Sequence, residues 1–152
     1  MLTGRELLKF WKLPPSEQRV LIAAAVIWLP GAWLGLRVAG LDWLQRRMRG
    51  GANLPNPLVS SQAVDRLATL VEIAAKYTLS PSTCLTRSMA LLWLLSSHGL
   101  QGHLRIGVRI TRGKLEAHAW VEYRGRAVND PQRKASQFAP FAEVLPLHAF
   151  SS

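Results

Sequence analysis

Three side chains in the second half of this 152-residue chain have the types that catalyse acyl transfer. Cys84 carries a thiol, His118 an imidazole and Asp130 a carboxylate. A thiol attacks a carbonyl carbon as its thiolate, an imidazole can take the thiol proton, and a carboxylate can orient the imidazole. The sequence therefore predicts a Cys–His–Asp triad, provided that the fold brings the three side chains into one site.

The residues around Cys84 predict a helix that begins just before the thiol. In PSTCLTRSMALLWLLSSHG, Ser82 is the expected N-cap and Gly99 the expected stop. Cys84 then lies in the first turn, where the positive end of the helix dipole stabilises an anion and so favours a thiolate. The expected buried stripe of this helix comprises Leu85, Met89, Leu92 and Trp93.

His118 and Asp130 lie on a predicted β-hairpin, and the length of its turn decides whether they share a face. A two-residue loop at 124–125 pairs position 119 with 130, which puts His118 and Asp130 on opposite faces. A three-residue loop, at 123–125 or at 124–126, puts both on one face, and such loops with a left-handed glycine are common. The triad hypothesis therefore predicts an odd loop or a compensating bulge at this turn.

Arg87 and Trp120 are the other candidate residues of this site. Arg87 lies one turn after Cys84, where it can bind a carboxylate of the substrate or form a structural ion pair. Trp120 shares a face with His118, because side chains two positions apart on a strand point the same way. No cofactor or metal site is expected, since Cys84 is the only cysteine and His103 and His148 lack suitable partners nearby in sequence.

The elements that must position these residues show two periodicities. From Gln62, apolar residues recur at spacings of three and four, which predicts a helix ending near Tyr77 to Leu79. After the Cys84 helix the period changes to two, and HLRIGVRIT, LEAHAWVEY and RAVND predict three strands with turns at Gly113 and Gly125. The predicted fold class is α+β, with helices packed on an antiparallel sheet of at least three strands.

The chain is predicted to have two unlike parts. Residues 1–50 form an apolar α-helical region, the Gly-, Pro- and Ser-rich residues 51–61 a linker, and residues 62–152 the catalytic domain. A capping box at Thr3–Glu6 begins a first short helix. Pro14 and Pro15 end it.

The next helix can be capped by Ser16 and contains an uncharged stretch at positions 20–36, which Pro30 interrupts. One interpretation is two buried or partner-facing helices joined at Pro30. The other is contact with a membrane, because an uncharged stretch of this length lies at the lower limit of a membrane span.

Composition narrows the classes of function. Apolar residues make up 49% of the chain, which suits a folded domain with a hydrophobic core. The net charge of +10 suits nucleic acid, a membrane surface or an acidic partner. The basic residues are scattered and do not alternate with aromatic residues on a strand, which argues against nucleic acid. No secretory signal is evident, so a cytoplasmic location is expected.

The segments CLTRSMALLWLLSSHGLQGHLRIGVR and EAHAWVEYRGRAVND together resemble the transglutaminase-like cysteine peptidases of lasso peptide biosynthesis. That family's pattern is Cys-Leu-x-Arg-Ser at a helix start, a Gly-Val-Arg strand, Ala-His-Ala-Trp-Val-Glu and a closing Asn-Asp. The resemblance runs from about Gln62 to Phe141. It implies a transglutaminase-like or papain-like core with Cys84 as nucleophile, His118 as general base and Asp130 as the orienting carboxylate.

The resemblance also implies removal of the leader peptide from a lasso peptide precursor, a step in the maturation of a ribosomally synthesised peptide. The implied partners are the precursor, a leader-recognition protein and an ATP-dependent asparagine-synthetase-like cyclase. Residues 1–50 lack the strands of a leader-recognition domain, so the split form of the peptidase is expected. Two alternatives stay open: a transglutaminase-like acyltransferase, and a non-catalytic membrane-associated adaptor.

Overall fold

The computed structural model describes residues 11–40, 42–43, 46, 60–130 and 134–140. The predicted capping box at Thr3–Glu6, most of the predicted linker and the tail after residue 140 lie outside these residues. The division of the chain into 1–50, 51–61 and 62–152 therefore stays a prediction.

The first described helix, α1, spans Pro15–Val38. Pro14 is its N-cap and Pro15 lies in its first turn, so Ser16, predicted as a cap, lies inside the helix. Proline suits this position because the N–H groups of the first turn have no acceptor within the helix.

Pro30 does not divide α1 into two helices, contrary to the first interpretation of the uncharged stretch. In a regular α-helix the proline ring collides with the carbonyl four residues earlier and removes its donor. Here Ala24–Trp28, which ends just before Leu29 and Pro30, is a π-helix. Its wider turn opens the hydrogen-bond ladder at this point, so the helix accommodates the proline and continues to Val38.

One side of α1 packs into the same hydrophobic core as the next two helices. Its buried residues are Leu21, Ala24, Leu29 and Ala32. The rings of Trp28 and Trp93 pack with their centroids 6.0 Å apart. Glu17 accepts hydrogen bonds of 2.8 and 2.7 Å from Nε and Nη2 of Arg66. These bonds hold the pKa of the Glu17 carboxyl below its ordinary value because they stabilise the charged form.

Helix α2 spans Ser61–Ala75 and helix α3 spans Cys84–Ser97. Ser60 caps α2, since its Oγ accepts from the Ala63 N–H at 3.3 Å. The helix ends slightly before the predicted Tyr77 to Leu79. Thr83 caps α3 in the same way, with its Oγ1 accepting from the Thr86 N–H at 3.2 Å.

Ser82, predicted as the N-cap of α3, is bound elsewhere. Its hydroxyl donates to the last carbonyl of α2 at 3.4 Å and accepts from Nε of Arg87 at 3.3 Å. The predicted stop at Gly99 is confirmed, because Gly99 has a φ of 71° and the Leu100 N–H donates back to the Leu95 carbonyl at 2.9 Å. Both features belong to the Schellman motif, which ends many helices.

Helix α3 lies at the centre of the fold, in contact with α1, α2 and the sheet. Two residues of its predicted stripe, Met89 and Leu92, are buried, whereas Leu85 and Trp93 are half-buried. The buried surface of α3 is wider than one stripe because α1, α2 and the sheet cover several of its sides. The buried residues of α3 are Thr86, Ser88, Met89, Ala90, Leu91, Leu92, Leu94 and Leu95.

The sheet has four strands: β1, His103–Thr111; β2, Lys114–Tyr123; β3, Arg126–Ala127; and β4, Ala139–Pro140. Their order is β3-β2-β1-β4, and each pair of neighbours is antiparallel. A short 3-10 helix, Lys134–Gln137, precedes β4. Val121 and Tyr123 of β2 join the core formed by the helices. The predicted α+β class, helices packed on an antiparallel sheet, is confirmed.

Candidate active site

The three predicted triad residues line one cleft. Cys84 is the first residue of α3 and is half-buried, His118 lies in β2, and Asp130 follows β3. The cleft is open to solvent and has a volume of about 120 Å³. Its lining residues are Glu72, Cys84, Arg87, His118, Ala119, Asn129, Asp130 and Lys134.

The side chains of His118 and Asp130 are in contact within this cleft. Nε2 of His118 lies 3.4 Å from Oδ1 of Asp130, and the two side chains are 16% and 3% exposed. Nε2 makes no hydrogen bond within the described residues, so the contact has the distance of an ion pair without hydrogen-bond geometry. Oδ2 of Asp130 accepts from the Ala135 N–H. Because Nε2 lies beside the carboxylate, the triad hypothesis assigns Nδ1 to the thiol.

The turn between β2 and β3 is not the predicted odd loop. Tyr123 pairs with Arg126, which leaves a two-residue loop, and both of its residues have positive φ, 51° at Arg124 and 76° at Gly125. This is the type I′ geometry that matches strand twist. A regular continuation of this register puts His118 and Asp130 on opposite faces. They nevertheless meet, because β3 ends at Ala127 and the chain bends before Asp130.

Two buried polar residues of this site were missed in the sequence analysis, Asn129 and Ser88. Oδ1 of Asn129 accepts from the Val121 N–H at 2.7 Å, and its Nδ2 donates to Oγ of Ser88 at 3.0 Å. Oγ of Ser88 donates to the Ala119 carbonyl at 3.2 Å. One signal for Ser88 was present, because it lies four residues after Cys84 and so on the same side of the helix.

Aromatic rings enclose the imidazole of His118. The Trp120 ring is stacked at 5.8 Å and the Phe138 ring is tilted at 5.3 Å, measured between centroids. Arg109 lies over the outer side of Phe138, with its guanidinium carbon 4.5 Å from the ring centroid. Trp120, named as a candidate for substrate binding or structure, is 4% exposed and forms one wall of the imidazole site.

Gly107 of β1 leaves the space that these rings occupy. A Cβ at this position would lie 2.7 Å from Cβ of Phe138 and 3.0 Å from ring atoms of Trp120. We expect Gly107→Ala to lower the free energy of unfolding by about 1–3 kcal/mol, because the added methyl displaces packed rings. Thermal denaturation measures the effect. Ala117→Val, which adds bulk at an exposed position of β2, is the control and should change little. Equal melting temperatures for Gly107→Ala and the unaltered protein would contradict this packing.

Arg87 is bound to other parts of the protein at the edge of the cleft. Its Nη1 donates to Oε2 of Glu72 at 3.0 Å, and its Nη2 donates to the Ser82 carbonyl at 3.3 Å. Arg87 therefore forms the ion pair that the sequence offered as one of its two roles, and its role in substrate binding stays a prediction. Within the described residues, no group of three or more His, Cys, Asp and Glu side chains could hold a metal ion.

Comparison with known proteins identifies the superfamily of this chain. A family model described as the transglutaminase-like superfamily matches residues 31–143. The microcin J25-processing protein McjB of Escherichia coli is 38% identical over 63 residues, which are 41% of this chain and 29% of McjB. The chain thus matches less than a third of the length of this curated relative. No solved structure matches significantly. Because the family model covers well over half of the chain and includes Cys84, His118 and Asp130, the chain belongs to the transglutaminase-like superfamily.

Proposed function

We propose that this protein is a cysteine peptidase that removes the leader from a lasso peptide precursor. The observation that carries the proposal is the convergence of Cys84, His118 and Asp130 on one open cleft, with His118 and Asp130 in contact at 3.4 Å. The substrate class rests on the motifs CLTRS and AHAWVE and on the partial similarity to a microcin J25-processing protein.

In the proposed mechanism, Nδ1 of His118 takes the Cys84 proton and the thiolate attacks the scissile carbonyl carbon. The peptide C–N bond then breaks as the imidazolium protonates the leaving amine, which leaves a thioester between the leader and Cys84. His118 next deprotonates a water molecule that attacks the thioester and releases the leader carboxylate and the thiol. Asp130 stabilises the imidazolium in both steps.

The oxyanion formed in each step needs a hydrogen-bond donor, and the Cys84 backbone N–H is our candidate. The first N–H groups of a helix have no acceptor within it, which suits them to stabilise negative charge. The side chain of Thr83, which caps α3, does not bind the Cys84 N–H, because it accepts from the Thr86 N–H.

The proposed partners follow from this function. A leader-recognition protein presents the precursor, and an ATP-dependent asparagine-synthetase-like cyclase receives the freed core amine. The net charge of +10 would speed association with an acidic surface on such a partner. No nucleic acid takes part.

Mass spectrometry of a lasso precursor incubated with this protein and a leader-recognition protein tests the function. In heavy-oxygen water, we expect separate leader and core fragments, with the labelled oxygen in the new leader carboxylate. A transglutaminase-like acyltransferase would instead join the acyl group to an added amine and leave no labelled carboxylate. Intact precursor with the active partners present would contradict the peptidase proposal.

We further propose that the protein works in the cytoplasm with α1 against the membrane surface. By length and composition α1 could cross a membrane. Its most apolar stretch of 18 residues has a mean hydropathy of 1.7, and only 22% of that stretch is buried. Because its other side packs on α2 and α3, we infer that it lies on the bilayer rather than across it. The exposed aliphatic residues of α1 are Ile22, Val26, Ile27, Leu34 and Val38.

Co-sedimentation with phosphatidylglycerol vesicles tests this location. We expect the unaltered protein to bind, and the double change Val26→Glu and Ile27→Glu to weaken binding about tenfold or more, because charged side chains oppose insertion of the apolar face. Leu79→Glu is the control, since Leu79 is fully exposed but lies outside α1. Equal binding by all three proteins, or none by the unaltered protein, would contradict the proposal.

A further inference from the structure

The contact between His118 and Asp130 requires the chain to leave the register that its own turn sets. The two-residue loop pairs Glu122 with Ala127, and the Val128 N–H still donates to the Val121 carbonyl at 2.9 Å. Two more residues in this register would bring Asp130 beside Ala119, on the face opposite His118. A specific interaction must therefore end the ladder between Val128 and Asp130.

Asn129 makes that interaction. In a regular antiparallel pair the Val121 N–H would donate to the Val128 carbonyl, as the return bond of the pair. Here it donates to Oδ1 of Asn129 at 2.7 Å instead. The side-chain amide thus occupies the donor that would extend β3, and the backbone is free to bend toward His118.

The same amide is anchored to the helix that carries the nucleophile. Nδ2 of Asn129 donates to Ser88, which is 0% exposed and lies one turn after Cys84, and Ser88 in turn donates to the carbonyl of Ala119. One buried network therefore joins the start of α3, the strand of His118 and the segment that ends at Asp130. Oδ1 and Nδ2 of Asn129 and Oγ of Ser88 are all hydrogen-bonded. A buried network whose polar groups all have partners is rigid.

We propose that Asn129 is a positioning residue of the triad, with Ser88 as its anchor, and that it acts by turning Asp130 toward His118. The inference rests on the proposed triad, but it does not depend on which peptide is cleaved. Removal of the amide should let the Val121 N–H return to the Val128 carbonyl, so that β3 lengthens and Asp130 moves away from His118.

Alkylation by iodoacetamide measures this effect, because Cys84 is the only cysteine in the chain. Iodoacetamide reacts with the thiolate form of a cysteine, so the rate constant measures how well the proposed triad promotes loss of the Cys84 proton. We expect Asn129→Leu, similar in size but without the amide, to lower the alkylation rate constant about tenfold or more, and we expect the same of Asp130→Asn. The double variant should react no more slowly than Asp130→Asn alone, because both changes remove the same interaction.

Two further variants separate positioning from loss of stability. Val64→Ala removes bulk from the buried side of α2, so it should lower the melting temperature without slowing alkylation. Ser88→Ala keeps the bond from Val121 to Asn129 but removes the bonds of Ser88 to Asn129 and to the Ala119 carbonyl, so its effect should be smaller and also not additive with Asp130→Asn. If Asn129→Leu fails to fold, the comparison of Ser88→Ala, Asp130→Asn and their double variant tests the inference in its place.

Unchanged alkylation in Asn129→Leu, or losses that multiply in the double variants, would overturn the inference. Failure of the proposed function has a different signature. In that case the precursor stays intact with the unaltered protein, whereas the alkylation cycle can still show the predicted coupling between Asn129 and Asp130.

Discussion

Replacement of Cys84 by alanine is expected to abolish leader cleavage. Without the thiol no acyl-enzyme can form, and loss of the nucleophile in a catalytic triad lowers kcat by about four to six orders of magnitude. Mass spectrometry of the precursor, at enzyme concentrations above those of the substrate, measures the remaining rate. Alanine suits the first turn of a helix, so the melting temperature should stay close to that of the unaltered protein.

Ser97→Ala is the matched control for this change. Ser97 is an exposed residue at the far end of α3, so its loss should leave cleavage unchanged. Leader cleavage by Cys84→Ala at the ordinary rate would contradict the peptidase proposal. It would favour the remaining alternative, a membrane-associated adaptor that keeps the fold without the chemistry.

Asp130→Asn is expected to lower kcat by about two to four orders of magnitude with little change in KM. Asparagine keeps the shape of the side chain but removes the charge that lies 3.4 Å from Nε2 of His118. That charge is needed most when the imidazolium forms, which occurs in the transition state rather than on substrate binding. Steady-state cleavage of the precursor over a range of concentrations separates the two constants.

The control for this change is Asp65→Asn, the same substitution in an exposed ion pair. Asp65 is 47% exposed and bonded to Arg126, so its loss should cost little activity. If Asp130→Asn keeps full activity, then Asp130 is only a turn residue whose carboxylate accepts the Ala135 N–H. Cys84 and His118 would then act as a pair without an orienting carboxylate.

Local patterns located the elements of this fold well, and each of their errors has a physical cause. Ser82 and Thr83 can both cap a helix, and the choice of Thr83 follows from the contact of Ser82 with Arg87, which comes from a later turn. At the β2–β3 turn, the type I′ geometry puts Arg124 at a φ of 51°, which is uncommon for a residue other than glycine. The triad hypothesis favoured a three-residue loop or a bulge instead, because it extended the strand register as far as Asp130.

Helix α1 also differs from what its local pattern predicts. A proline inside a helical pattern usually ends or kinks a helix, so the sequence predicted a joint at Pro30. The π-helix at Ala24–Trp28 removes the collision, and the packing of Leu21, Ala24, Leu29 and Ala32 against α2 and α3 stabilises the continuous helix. That packing joins residues far apart along the chain, which a local pattern does not contain.

The sequence by itself determined which reactive side chains the candidate site contains and on which elements they lie. Residue types and periodicity place a thiol at a helix start, an imidazole on a strand and a carboxylate after the next strand, because those signals lie within a few residues of each group. The tertiary structure alone decided whether His118 meets Asp130. The turn opposes that contact, and the bonds that restore it join Asn129 to Val121 and to Ser88, 8 and 41 positions away. Hydrogen bonds over such separations depend on how α3 packs against β2, which no local pattern specifies.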